Sequence, residues 1–144
     1  MRYAVFTATL LALSPSLAFS DIFEVKMLNR GEAGSMVYEP DFLELQPGDT
    51  VRFIATHPSH NAASIPEMWP EDAVQVKGRI NEEIEVTFDA PGFYGIQCSP
   101  HYTMGMVMLI QVGPGDPGDI SIPSSLPEMG QDRMEAIIAK NRQD

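Results

Sequence analysis

An all-β sandwich closed by a helical tail is the fold that this sequence predicts, and three observations predict it. Apolar and polar residues alternate with a period of two in several short stretches. Clusters of Gly and Pro separate those stretches. Only after Pro127 does the apolar spacing lengthen to that of a helix.

The elements follow in order. Phe23-Glu24-Val25-Lys26-Met27 puts apolar side chains at odd positions and charges at even ones, the signature of a strand with one buried face. Phe42 to Leu45 forms the next strand. The turn Gln46-Pro47-Gly48-Asp49 joins it to Thr50-Val51-Arg52-Phe53-Ile54. In Glu83 to Phe88, Ile84, Val86 and Phe88 share one face. Asp89-Ala90-Pro91-Gly92 then turns the chain into Phe93 to Gln97. Met106 to Val112 is nearly all apolar, as expected of a strand covered on both faces or lying inside a sandwich, and Gly113-Pro114-Gly115 ends it. The tail, about residues 114–144, should carry a short helix from Pro117 to Ile120 and a longer one opening at Pro127-Glu128-Met129. Met134, Ile137 and Ile138 fall at i, i+3 and i+4 of that longer helix and give it one apolar face, while Glu128 suits its N-terminal end. The tail should pack on the sandwich as part of the same domain.

The first residues read differently. Met1-Arg2-Tyr3, an apolar run from Ala4 to Leu13 and the small residues around Ala18-Phe19-Ser20 have the layout of an export signal. The run is too short to span a bilayer, and Ser14 and Pro15 interrupt it. Cleavage is expected after Ser20, with Ala18 as second choice. Residues 1–20 are then a signal peptide and 21–144 a single exported domain, expected in the periplasm. Beyond Ser20, eight Lys and Arg face twenty Asp and Glu, a net charge of −12. Such acidity argues against nucleic acid and anionic membrane as partners. No later segment is apolar enough to cross a bilayer.

An exported chain with one cysteine forms no internal disulfide, so Cys98 asks for another role. It stands in Cys98-Ser99-Pro100-His101-Tyr102-Thr103-Met104-Gly105-Met106, where a thiolate, an imidazole and two thioethers lie within nine residues. One Cys, two His and a weak axial Met are the ligands that hold a single copper ion for electron transfer. With Cys98 ending one strand, His101 in the turn and a Met opening the next strand, one hairpin loop supplies three ligands. The fourth must come from another loop, following the strand that contains Phe53. His57 and His60 both stand there, and His60 is followed by Asn61, a residue type that can tie two loops together through hydrogen bonds. Met104 and Met106 both follow His101 closely enough to be axial. An enzyme would need a second copper with its own His set, and three His in all leave too few. A copper store would favour several exposed Met or Cys ligands and would not need the Cys98–His101 hairpin.

The run from Gly95 to Met106 resembles the C-terminal copper loop of the cupredoxins. Phe23 to Asn29, Glu39-Pro40, Gln46 to Asp49, His60-Asn61 and the helical tail resemble the same family in order and spacing, so the likeness covers essentially the whole exported chain. It implies a cupredoxin-like Greek-key β-sandwich with C-terminal helices, and a monomeric electron carrier with one type 1 copper. The family's first ligand His falls on His60 and its loop-tying Asn on Asn61. The Cys-x2-His-x4-Met spacing shared with plastocyanin falls on Cys98, His101 and Met106, while the shorter loop of amicyanin would fit Met104. Met36 resembles a residue that lies against the exposed ligand imidazole, here His101. Pro100, Tyr102, Met104 and Met36 would form the apolar patch around that imidazole through which electrons leave. The partners implied are redox proteins: a copper or cytochrome nitrite reductase, or a c-type cytochrome. Relatives that serve nitrite reductase ring the patch with lysines. This chain keeps Arg30 and Lys77 in flanking places but has Pro58 and Gln97 where further basic groups are expected, which also brings a basic cytochrome into view.

Overall fold

The structure is a computed structural model that describes residues 19–143. The expected export signal falls almost wholly on residues 1–18, outside that range. Eight strands form two four-stranded sheets. The strands are β1 (Ile22–Gly31), β2 (Gly34–Glu39), β3 (Phe42–Leu45), β4 (Asp49–Ile54), β5 (Ala63–Ser64), β6 (Ile84–Phe88), β7 (Gly92–Gln97) and β8 (Val107–Val112). A helix, α1 (Glu128–Asn141), follows. One sheet has the order β2-β1-β4-β6 and the other β3-β8-β7-β5. The expected all-β sandwich with packed helical tail is what forms.

The alternation read in the sequence decides which faces meet. On β1, Val25 and Met27 are buried while Glu24 and Lys26 are exposed; on β6, Phe88 is buried and Glu85 and Thr87 are exposed. These inward residues join Val51, Phe53, Tyr94, Ile96, Met108, Ile110 and Val112 between the sheets. β8 is buried at all six positions. Met108, Ile110 and Val112 face the sandwich interior, whereas Val107 and Leu109 face the opposite way and meet Leu126, Met134 and Ile137 under α1. The apolar run is therefore a strand with a core on each side. At the far end of the sandwich, the turn before β4 closes as expected: Asp49 N–H donates to Gln46 C=O (3.0 Å), and Gln46 N–H to Asp49 Oδ2 (2.7 Å).

Three features went beyond the sequence reading. β1 runs on to Gly31 and pairs with a strand that was not expected, β2. The two-residue β5 pairs with β7 at Ala63–Gln97 and Ser64–Ile96. The ligand-bearing segment Ser99–Met104 is 3-10 helix rather than a bare hairpin turn. The predicted short tail helix is a 3-10 turn, Pro117–Asp119.

Two pairings position the site. β1 and β4 run parallel, so the chain leaving β4 passes beside the second half of β1, where His57 N–H donates to Met27 C=O (3.1 Å). α1 packs against β8 and the 3-10 segment. Gly105, in the left-handed region at φ 77°, permits that approach, since a Cβ there would lie 2.5 Å from Met129 O.

Candidate metal centre

Two loops meet at one end of the sandwich. The first, between β4 and β5, carries His60 six residues beyond the end of β4. The second, between β7 and β8, begins at Cys98 and closes on itself. His101 N–H donates to Cys98 C=O (3.1 Å), Met106 N–H to His101 C=O (3.2 Å), and Cys98 N–H to Met106 C=O (3.0 Å). Pro100 in the first turn of the 3-10 segment gives up no needed N–H there. Asn61 ties the loops together: Ser99 N–H donates to its Oδ1 (2.7 Å), and its Nδ2 donates to Ser99 Oγ (3.1 Å) and Gly78 C=O (2.9 Å). The expected loop-tying role of Asn61 is thus a pair of bonds to Ser99, with a third bond anchoring the same side chain to Gly78.

Within this frame three ligand atoms converge. His60 Nδ1 lies 3.1 Å from His101 Nδ1 and 3.7 Å from Cys98 Sγ, and His101 Nδ1 lies 3.5 Å from the same sulfur. A point in their plane equidistant from all three is about 2.0 Å from each, the reach of a metal–imidazole bond. The donor set, two imidazoles and one thiol, is that of copper electron-transfer sites. Asn29 Oδ1 sits 2.8 Å from His60 Nε2, so Nε2–H donates to it and leaves the Nδ1 lone pair facing the centre.

The competing residues separate by burial and bonding. His57 stands apart from the cluster, and its Nδ1 accepts the backbone N–H of Asn29 (2.9 Å). Met106 is fully buried in the main core with Cys98, while Met104 is 42 % exposed. His60 and Cys98 are fully buried and His101 is half-buried. Pro100 and Met104 are exposed beside His101, Tyr102 is half-buried, and Met36 packs half-buried on the main core. Asn29 escaped the sequence reading because only the parallel β1–β4 pairing brings it to His60. The one local signal was an Asn at the end of an otherwise regular strand.

Burial lowers the His60 pKa below the ordinary 6.5, with smaller contributions from His101 and His57. Burial raises the Cys98 thiol above 9.0, opposed by the backbone N–H groups of Asn61 and His101. Both shifts favour neutral groups in the metal-free fold, and they set a pH window. Below 6.5 the unfolded chain takes up a proton that folded His60 resists, so metal-free stability falls with pH. Above 9.0 the unfolded chain loses a proton that folded Cys98 retains, so stability falls again. Urea unfolding of metal-free protein across this range should give a maximum between these values. A maximum below pH 6 would contradict it.

Residues 25–113 match the family of copper binding proteins of the plastocyanin/azurin type, and the chain belongs to that family. It is a copper protein of cupredoxin fold, with the ligand atoms of His60, Cys98 and His101 gathered at one end of the sandwich. Within the family its similarity is to pseudoazurins, which are electron carriers and not enzymes. Pseudoazurin of Paracoccus pantotrophus is 42% identical over 138 residues, covering 95% of this chain and 94% of that one. The crystal structure of pseudoazurin from Methylobacterium extorquens AM1 superposes with a TM-score of 0.78 at 39% identity, covering 83% of this chain and 98% of that one. That of Hyphomicrobium denitrificans gives 0.76 at 40% identity, with 85% and 99% covered.

Proposed function

We infer that the chain is a periplasmic one-electron carrier, acting as a monomer, whose copper is bound strongly by His60, Cys98 and His101 and weakly by Met106. The convergence of three ligand atoms on one point, held by bonds from both loops, carries this reading. Copper in such a set supplies a one-electron couple. The protein's part is to hold the ligands still: Asn29 fixes the His60 ring, Asn61 locks loop to loop, and the fully buried Cys98 and Met106 keep water out. His101 is the only one of the four that reaches the surface, so the electron enters and leaves along its edge. The exposed Pro100 and Met104 beside it suit the small interface of a brief encounter.

The test is direct. Copper-loaded protein should be intensely blue when oxidised and lose its colour on reduction; a colourless Cu(II) complex would overturn the reading. Burial supports Met106 as the axial group. Met106→Gln should therefore shift the copper spectrum while Met104→Gln leaves it nearly unchanged, and the reverse result would move the axial ligand to Met104.

For the partner, the local charges count for more than the total of −12. Exposed Arg30 follows Asn29, and exposed Lys77 and Arg79 flank Gly78, whose carbonyl Asn61 holds. None of the three makes an ion pair among the described residues. They support a partner with an acidic docking face, such as a nitrite reductase, over a basic cytochrome. Lys77→Glu with Arg79→Glu should slow electron transfer to that partner several-fold at low salt and less at high salt. Acceleration at low salt would point to the basic cytochrome instead.

A further inference from the structure

Asn61 is also held through its backbone carbonyl, from a strand that belongs to neither loop. Tyr38, on β2 beside Met27 of β1, belongs to the sheet that does not carry Cys98. It is buried in the main core with Cys98 and Met106, and its ring stands edge-on to Phe53. Its hydroxyl donates to the backbone carbonyl of Asn61 at 2.7 Å.

We propose that Tyr38 is a positioning residue for the copper centre: through Asn61 it sets the hydrogen-bond donors around the Cys98 sulfur, and so tunes the copper potential. This rests on the ligand assignment above. Asn61 has little freedom to absorb a change. Its Oδ1 accepts Ser99 N–H, its Nδ2 donates to Ser99 Oγ and Gly78 C=O, and its backbone N–H opposes the rise that burial imposes on the Cys98 thiol. A buried carbonyl stripped of its donor turns to find another. If Asn61 turns, its N–H leaves the sulfur, or its Oδ1 leaves the residue next to Cys98. A thiolate with fewer donors is richer in electrons and favours Cu(II), so the potential falls. Burial, and secondarily Cys98, push the Tyr38 phenol above its ordinary pKa, which keeps the proton available to donate.

The protein carries its own control. Tyr94 is also buried, and its hydroxyl donates to the Ala90 carbonyl at 2.6 Å, across the turn at the opposite end of β7 from Cys98. Tyr38→Phe and Tyr94→Phe each remove one oxygen and one hydrogen bond from a buried ring, the Tyr94 bond being only partly buried. Midpoint potential and blue absorption band are measured on the copper-loaded proteins, and hydrogen exchange at the Ser99 amide on the metal-free proteins. Tyr38→Phe should lower the potential enough to change the equilibrium constant with a fixed redox couple by about threefold, or about 30 mV. It should also move the band and speed Ser99 exchange by about tenfold. Tyr94→Phe should change none of these. An unchanged potential and Ser99 exchange in Tyr38→Phe, or an equal shift in Tyr94→Phe, would overturn the proposal. A colourless wild-type copper complex would instead overturn the ligand assignment, and Ser99 exchange would then decide the Tyr38–Asn61 linkage alone.

Discussion

Cys98→Ser should give a folded protein that never turns blue with copper. Serine nearly matches cysteine in shape, so the closed loop from Cys98 to Met106 keeps its three backbone bonds. The hydroxyl does not ionise near neutral pH and offers no soft sulfur donor, so both the sulfur-to-copper colour and the tight hold on Cu(I) disappear. Two imidazoles and an oxygen would still bind Cu(II) weakly, with pale colour and no reversible one-electron wave. Absorption and voltammetry of the copper-treated variant read the result directly. A blue Cys98→Ser protein would remove the thiolate from the site. No other described residue offers a sulfur of the same kind, so the effect should be complete rather than graded.

Leu109→Ala should destabilise the fold strongly without removing any copper ligand. Leu109 is fully buried on the helix side of β8, among Val107, Leu126, Met134 and Ile137. The neighbours are a strand and a helix held by their own backbones, so they collapse little into the space. A loss of about 3 kcal/mol is expected. Because α1 also packs on the Ser99–Met104 segment, the loosened helix should raise hydrogen exchange in that segment. Urea unfolding measures the first effect and exchange the second. A loss below about 1 kcal/mol would mean that α1 contributes little to the fold.

How much of this was legible in the chain depended on range. β1, β6 and the double-sided β8 announce themselves because alternation, or its absence, is local. β2 does not. It opens with Gly34 and Ser35, Met36 takes the left-handed region at φ 50°, and Val37 and Tyr38 are buried side by side, so no period of two appears. β5 is too short to show a period at all. The same divide runs through the site. Cys98, His101 and the two Met candidates share one hairpin and could be read together. The following Asn61 already favours His60 over His57 in the sequence; what the structure adds is that Asn29 orients the His60 imidazole and donates its backbone N–H to His57. That rests on a parallel strand pairing that no local spacing reveals. Tyr38 and its bond to Asn61 stayed hidden for the same reason.

The parallel pairings also bear on how the protein comes into being. Phe42 lies beside Leu109, and Ile22 beside Thr50, so closing each sheet waits on contacts between distant parts of the chain. Such topologies fold slowly compared with helical bundles, because chain closure must precede the contacts that reward it. Cys98 and His101 can meet early, but His60 and Asn29 arrive only when both sheets have formed. The blue colour therefore doubles as a clock for the last step of assembly: in refolding with copper present, it should appear after the strands do, not with them.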